Sequence, residues 1–361
     1  MEDLATAYEL PTAALGYLTA AVQFGFITGT LVFAIAAIAD RFSPSRVFMW
    51  CAFFAALANL TMLWSENTLT TLLSGRFLTG FFLAGIYPVG MKIAADYYQA
   101  GLGKSLGFLV GALVLGTAFP HLLKAIGGEL SWEMVQYGTS GIALLGGLMI
   151  GWFVPDGPYR KPSQQIQLTA FIEVFRNREF RRAAFGYFGH MWELYTFWAL
   201  IPFLVRSFSS DFPTSMLSFL ILGIGAVGCV LGGYLSYRYG TGRVAYYALA
   251  ASGLCCLVLP LVFTMGNSTV FLLFMLFWGL TVVADSPLFS TLVAQRAPDE
   301  LRGTALTIVT CVGFGITIIS LLLLTDLLER AGTVSVITIL SLGPLFGLLT
   351  AWQRSKRNSS S

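Results

Sequence analysis

The chain has 361 residues, of which 56% are hydrophobic and only 11% charged, against roughly a quarter charged in soluble domains. That composition excludes a soluble protein. The formal net charge of +3 says little until it is sorted by loop, and it gives no reason to expect a nucleic-acid partner.

Apolar runs of about 20 residues, long enough to cross a hydrocarbon core of about 30 Å, predict eleven helices. In chain order they cover about 15–39, 47–64, 69–95, 104–127, 134–154, 182–206, 214–237, 244–265, 270–294, 303–328 and 333–352. No strand alternation of the barrel type appears, and backbone groups in lipid must be satisfied within helices, so an all-α membrane bundle follows. The opening residues "MEDLATAYELP" lack the basic start of a signal peptide. The five cysteines, Cys51, Cys229, Cys255, Cys256 and Cys311, lie in apolar runs with no metal or disulfide spacing and read as small packing residues.

Sorting the basic residues by loop orients the bundle, because cytoplasmic loops carry the excess of Lys and Arg. One alternate set of loops, with the C-terminal tail, holds sixteen of the 21; the other holds Lys124, Arg206 and Arg330; Arg76 and Lys92 fall inside a helix. The expectation is a multi-pass protein of the cytoplasmic (inner) membrane with its C-terminus in the cytoplasm. Eleven crossings place the N-terminus outside.

The polar stretch "ADRFSPSR" at 39–46 has an echo in "SYRYGTGR" at 236–243. Arg41 falls on Arg238, an offset of 197 residues (238 − 41), and Arg46 on Arg243. Gly80 and Pro88 of the third helix fall on Gly279 and Pro287 of the ninth, an offset of 199, and "GKSL" at 103–106 falls on "GTAL" at 303–306. Such internal repeats are common in transporters. By this register the helix at 182–206 maps back to about −15 to 9. The architecture is therefore read as two pseudo-symmetric six-helix bundles, here five plus six, with the first helix absent and transport by this form expected to be poor. The domains expected are 1–154, a cytoplasmic linker at 155–181 with a short interfacial helix around Phe171, Val174 and Phe175, and 182–361.

These residues resemble the major facilitator superfamily. Its loop motif survives as Ala39, Asp40 and Arg41, with Ser43, Pro44 and Ser45 where Gly and a basic pair stand in the family, then Arg46. The second copy keeps Gly233, Arg238 and Gly240, and a further family motif is matched by Arg76 and Gly80. The resemblance implies the major facilitator fold, a gating role for Asp40, Arg41, Arg46, Arg238 and Arg243, and a permease working as a secondary transporter by alternating access. "YPVGMK" at 87–92 and "GHMWELYTFW" at 189–198 look most like the cyanate and nitroimidazole permease branch.

Charges near the bilayer centre cost about 2.5–3.5 kcal/mol each on insertion scales and mark functional candidates. Glu193 lies about 16 Å from the inner end of its helix, at 1.5 Å per residue, and His190 shares its face three residues earlier. Asp285 sits beside Pro287, whose ring removes a helix hydrogen bond. Arg76 and Tyr87, 11 apart, share a face of an ideal third helix. Lys92 is read as a local partner of Asp96. The substrate and proton pathway is therefore assigned to Arg76, Tyr87, His190, Glu193 and Asp285.

The expected function is transport of a small anionic organic solute, with proton coupling resting on Glu193 and Asp285, by a monomer in a lipid bilayer. Efflux of hydrophobic compounds is the alternative. No nucleotide-binding loop is present, no cofactor or metal is expected, and an integral membrane enzyme would need a reactive cluster that His121 and His190, on separate helices, do not supply.

Overall fold

The structure, a computed structural model, describes residues 7–11, 13–98, 102–126, 131–160, 171–298 and 301–352. Among them every element is helical. In chain order the helices are α1 Ala13–Ile35, α2 Ile38–Arg41, α3 Pro44–Leu60, α4 Leu69–Leu83, α5 Tyr87–Tyr97, α6 Leu102–Ile126, α7 Trp132–Phe153 and α8 Phe171–Arg176. They continue with α9 Arg178–Phe208, α10 Thr214–Tyr239, α11 Thr241–Met265, α12 Ser268–Val282, α13 Ser286–Arg296, α14 Arg302–Ala331, α15 Thr333–Leu340 and α16 Leu342–Trp352.

The chain forms two compact units, one of residues 1–102 and 122–166, the other of residues 103–121 and 167–361. Leu18, Met62 and Leu72 form one core of the first unit, with Tyr8 and Trp132 against it, and Val47, Cys51 and Val89 another. Residues 103–121 of α6 belong with the second unit, where Gly107 and Gly111 meet the backbone of Cys229 and Ala226 on α10. The segment 161–170 of the expected linker and the tail from 353 onward lie outside the described residues.

Ten spans in the described residues are long and apolar enough to cross a membrane. The predicted eleventh, 182–206, is part of α9, a single helix of 31 residues and about 46 Å. Its Arg, His and Glu residues lower its hydropathy, but most of its side chains from Phe180 to Val205 are buried. Packed along α14 and α16, it is a polar helix screened by its neighbours, which is how a membrane bundle tolerates such a sequence.

Two predicted helices are each broken in two, at the same point of the repeat. α4 and α5 occupy Leu69–Leu83 and Tyr87–Tyr97; α12 and α13 occupy Ser268–Val282 and Ser286–Arg296, every boundary 199 residues later. The cause is Pro88 in one and Pro287 in the other, second in their helices. Proline has no N–H to donate to the carbonyl four residues back, and its ring clashes with that oxygen, so the preceding turn tightens. Gly85 and Ile86 donate to Phe82 and Leu83 (2.9 and 3.0 Å), and Ala284 and Ser286 to Thr281 and Val283 (3.3 and 3.1 Å). The N-caps obey the same register: Thr68 caps α4 through the amide of Thr71, and Asn267 caps α12 through those of Thr269 and Val270.

The glycines that the repeat aligns serve helix crossings. A methyl added at Gly80 would strike the carbonyl of Val22, and one at Gly279 that of Ile221. Gly29 meets Phe81 and Gly228 meets Leu280 in the same way. Within each unit the first helix of the pair therefore crosses the broken helix backbone to backbone, as small residues allow.

Candidate functional site

In the second unit, α9 threads between α11, α12 and the break that leads into α13, and its inward positions 190 and 193 are fully buried. Glu193 is held by three donors from two other helices. Trp278 Nε1 donates to Oε1 at 2.9 Å, Cys256 Sγ to the same oxygen at 3.4 Å, and Ser252 Oγ to Oε2 at 2.9 Å. One helix turn away, His190 Nδ1 lies 2.8 Å from Asp285 Oδ1, with both side chains buried. Asp285 ends the tightened turn and immediately precedes α13. It stands at the N-cap position of that helix, with no side-chain hydrogen bond to the helix amides. His190 Nε2 has no hydrogen-bond partner among the described residues.

The sequence-predicted residues His190, Glu193 and Asp285 are thus one buried cluster. Cysteines read as packing residues take part in it: Cys256 donates to Glu193, and Cys229 donates to the carbonyl of Val283 in the break at 3.4 Å. Trp278, Ser252 and Cys256 carried no sequence signal, being ordinary members of apolar runs. Around the cluster, α14 contributes Thr317, which donates to the carbonyl of Met191 at 2.9 Å, and Ser320, bonded to Thr196 at 2.8 Å.

Arg76 and Tyr87 lie in the first unit, both half-buried. The angular argument that put them on one face assumed a continuous helix, and the break after Leu83 interrupts it. Arg76 Nε is buried without a hydrogen-bond partner among the described residues. Lys92 pairs with Asp96 across one turn at 3.9 Å, as expected.

The predicted gating loop is tied down from α7's end. Ser43 Oγ donates to Asp156 Oδ1 at 2.7 Å, Arg160 pairs with Asp156 and also donates to the carbonyl of Phe42 at 2.9 Å. Ala37 adopts a left-handed conformation, φ 50°, that turns α1 into the short helix ending at Arg41. Arg41 and Arg46 are exposed, as are Arg238 and Arg243; the side chain of Asp40 lies outside the described ones. A cleft of about 650 Å³ opens between Ser43–Arg46 and Gly151–Asp156. Asp156 and Arg160, counted from sequence only as charges, are the residues that fix this loop.

Among the described residues no group of three metal-ligating side chains exists. What the second unit offers instead is two carboxylates and an imidazole, screened from water and lipid, able to hold protons rather than to make or break covalent bonds in a substrate.

Residues 1–321 match the family model described as Major Facilitator Superfamily. A niacin transporter, NiaP, of Acinetobacter baylyi is 33% identical over 133 residues, 34% of this chain and 29% of that protein. The similarity therefore spans under a third of that relative's length. Among solved structures, the human organic anion transporter MFSD10 (TETRAN) matches with a TM-score of 0.70 at 17% identity, over 96% of this chain and 87% of that one. The nucleoside transporter NupG matches with a TM-score of 0.69 at 14% identity, over 97% and 92% of the two chains. These proteins are named as transporters, not enzymes. The chain belongs to the Major Facilitator Superfamily.

Proposed function

We propose that this chain is a secondary transporter that moves a small anionic organic solute through the cytoplasmic membrane by alternating access, coupled to protons and working as a monomer. The observation that carries the reading is the buried cluster of His190, Glu193 and Asp285. Ionisable groups inside a membrane bundle are costly to bury and are kept where they handle charge.

The polarity of the repeat adds support. Position for position at an offset of 199, Asp285 replaces Ile86 and Trp278 replaces Thr79, while Arg76 stands where the second half has Met275. The acidic groups belong to one half and the unpaired buried guanidinium nitrogen to the other. We assign proton handling to the cluster that His190, Glu193 and Asp285 form together, and recognition of the solute's negative charge to Arg76 with Tyr87. Asp40, Arg41, Arg46, Arg238 and Arg243 are assigned to inner-face gating, with 155–181 as the cytoplasmic linker between the halves and the C-terminus in the cytoplasm. Similarity over a third of the chain to a niacin transporter, and the look of "YPVGMK" and "GHMWELYTFW", agree with a small organic anion of the size handled by cyanate and nitroimidazole permeases.

The test is uptake of labelled niacin and other small organic acids by the full chain in reconstituted vesicles. Accumulation that follows an imposed pH gradient and collapses with a protonophore is expected. Uptake indifferent to the gradient would reject coupling, and no uptake of any organic acid would reject the reading.

A further inference from the structure

Glu193 and Asp285 are buried in the same unit, but their surroundings differ. An ionised carboxylate offers about four lone-pair positions. Three of Glu193's are taken by the donors Trp278, Cys256 and Ser252, and hydrogen bonds to a carboxylate favour its ionised form. Asp285 has His190 as its one side-chain partner among the described residues, and His190 Nε2 has no hydrogen-bond partner among them. That pair has room for a proton on either member.

The groups facing the pair do not change this. From α9 come Tyr187, whose ring centroid is 6.2 Å from that of His190, and Glu193. Around the pair, α10 brings Cys229 to the carbonyl of Val283, α11 brings Cys256, with Cys255 beside it, to Glu193, and α14 brings Thr317 to the carbonyl of Met191 and Ser320 to Thr196. Among the described residues neither carboxylate has a Lys or Arg within ion-pair reach. Of the two carboxylates Asp285 has the fewer donors, so a proton taken up by the pair costs the fewest hydrogen bonds, and it takes the pair from −1 to neutral.

We propose that His190 and Asp285 form the single proton-carrying pair of this transporter, and that Glu193 stays ionised as a positioning residue holding α11 and α12 against α9. The consequence is one proton per cycle, so a monoanionic solute would move without net charge. This rests on the transport reading only for its stoichiometry.

Infrared difference spectra of the full chain in vesicles, recorded on acidification, test the assignment without any substrate. The carbonyl band of a protonated carboxylic acid is expected in the parent protein, lost in Asp285→Asn, shifted but present in Asp285→Glu, and retained in Glu193→Gln. The imidazole bands that accompany it should vanish in His190→Gln. Glu193→Ala should displace the midpoint of the titration and Glu193→Gln should restore most of it, because Gln can still accept from Trp278. A band lost in Glu193→Gln and kept in Asp285→Asn would overturn the proposal, as would no acid band in the parent. Asp285→Glu retains a carboxyl, so a shifted band there keeps the assignment testable if the Asn variant misfolds. If the bands behave as predicted while uptake ignores the pH gradient, proton-coupled transport fails and the assignment of the proton site stands.

Discussion

Gly80 and Gly279 occupy the same place in two different helix pairs: each lets its broken helix touch the backbone of a neighbour, at Val22 in one unit and at Ile221 in the other. The two glycines are 199 residues apart, and so are the two carbonyls they touch. The contact leaves no room for a side chain, since the obstructing atoms are backbone.

Gly80→Ala and Gly279→Ala should each destabilise the protein by about 1–3 kcal/mol, the usual cost of overpacking. Gly141, with nothing within 4 Å of an added methyl, is the control. Alanine there should be neutral or stabilising by up to about 1 kcal/mol, as helix propensity dictates. Thermal unfolding in detergent compares the three; equal effects at all three positions would mean that the crossings are looser than described.

Loss of a donor to Glu193 should be costly. Trp278→Phe removes one hydrogen bond to a buried carboxylate, worth about 1.5–3 kcal/mol, and keeps an aromatic ring against Phe197, whose centroid is 4.4 Å away. A melting point unchanged from the parent would show that the bond contributes little.

Cap positions offer a milder check of the repeat. Asn267 accepts from the amides of Thr269 and Val270 at 3.0 and 3.1 Å, and Asn267→Ala should cost about 1 kcal/mol. Thr68→Ala, at the equivalent cap, should cost a comparable amount. A large difference between the two would show that the repeat is one of shape and not of energetics.

Much of this was legible in the sequence, because the signals are properties of local chemistry. Long apolar runs predict spans, whereas the breaks at Pro88 and Pro287 fall inside two spans read from the sequence as continuous. The alignment of Arg41 with Arg238 and Gly80 with Gly279 gives the register in which the caps and crossings repeat. The site was legible only in part. His190, Glu193 and Asp285 stand out as charges in apolar runs, but which of them meet is decided by helix packing. Nothing in the spacing pairs His190 with a residue 95 positions later (285 − 190). Trp278 and Cys256 were invisible because their hydrogen bonds need a partner that only the fold supplies. The face shared by Arg76 and Tyr87 assumed an ideal helix through a segment that is broken between Leu83 and Tyr87.

If Arg76 recognises the solute's negative charge, Arg76→Gln should raise the KM for an organic anion about tenfold or more, the value of a charged hydrogen bond of about 1.5–3 kcal/mol. The rate at saturation should change less. A loss confined to the maximal rate would place Arg76 in gating instead.

The central claim is that the His190 and Asp285 pair couples solute movement to protons. Uptake by the full chain and by Asp285→Asn, measured side by side in vesicles as pH-driven accumulation and as solute exchange without a gradient, tests it most directly. The account predicts that Asp285→Asn loses accumulation by tenfold or more and retains exchange. Accumulation that survives in Asp285→Asn at the parent level would contradict it.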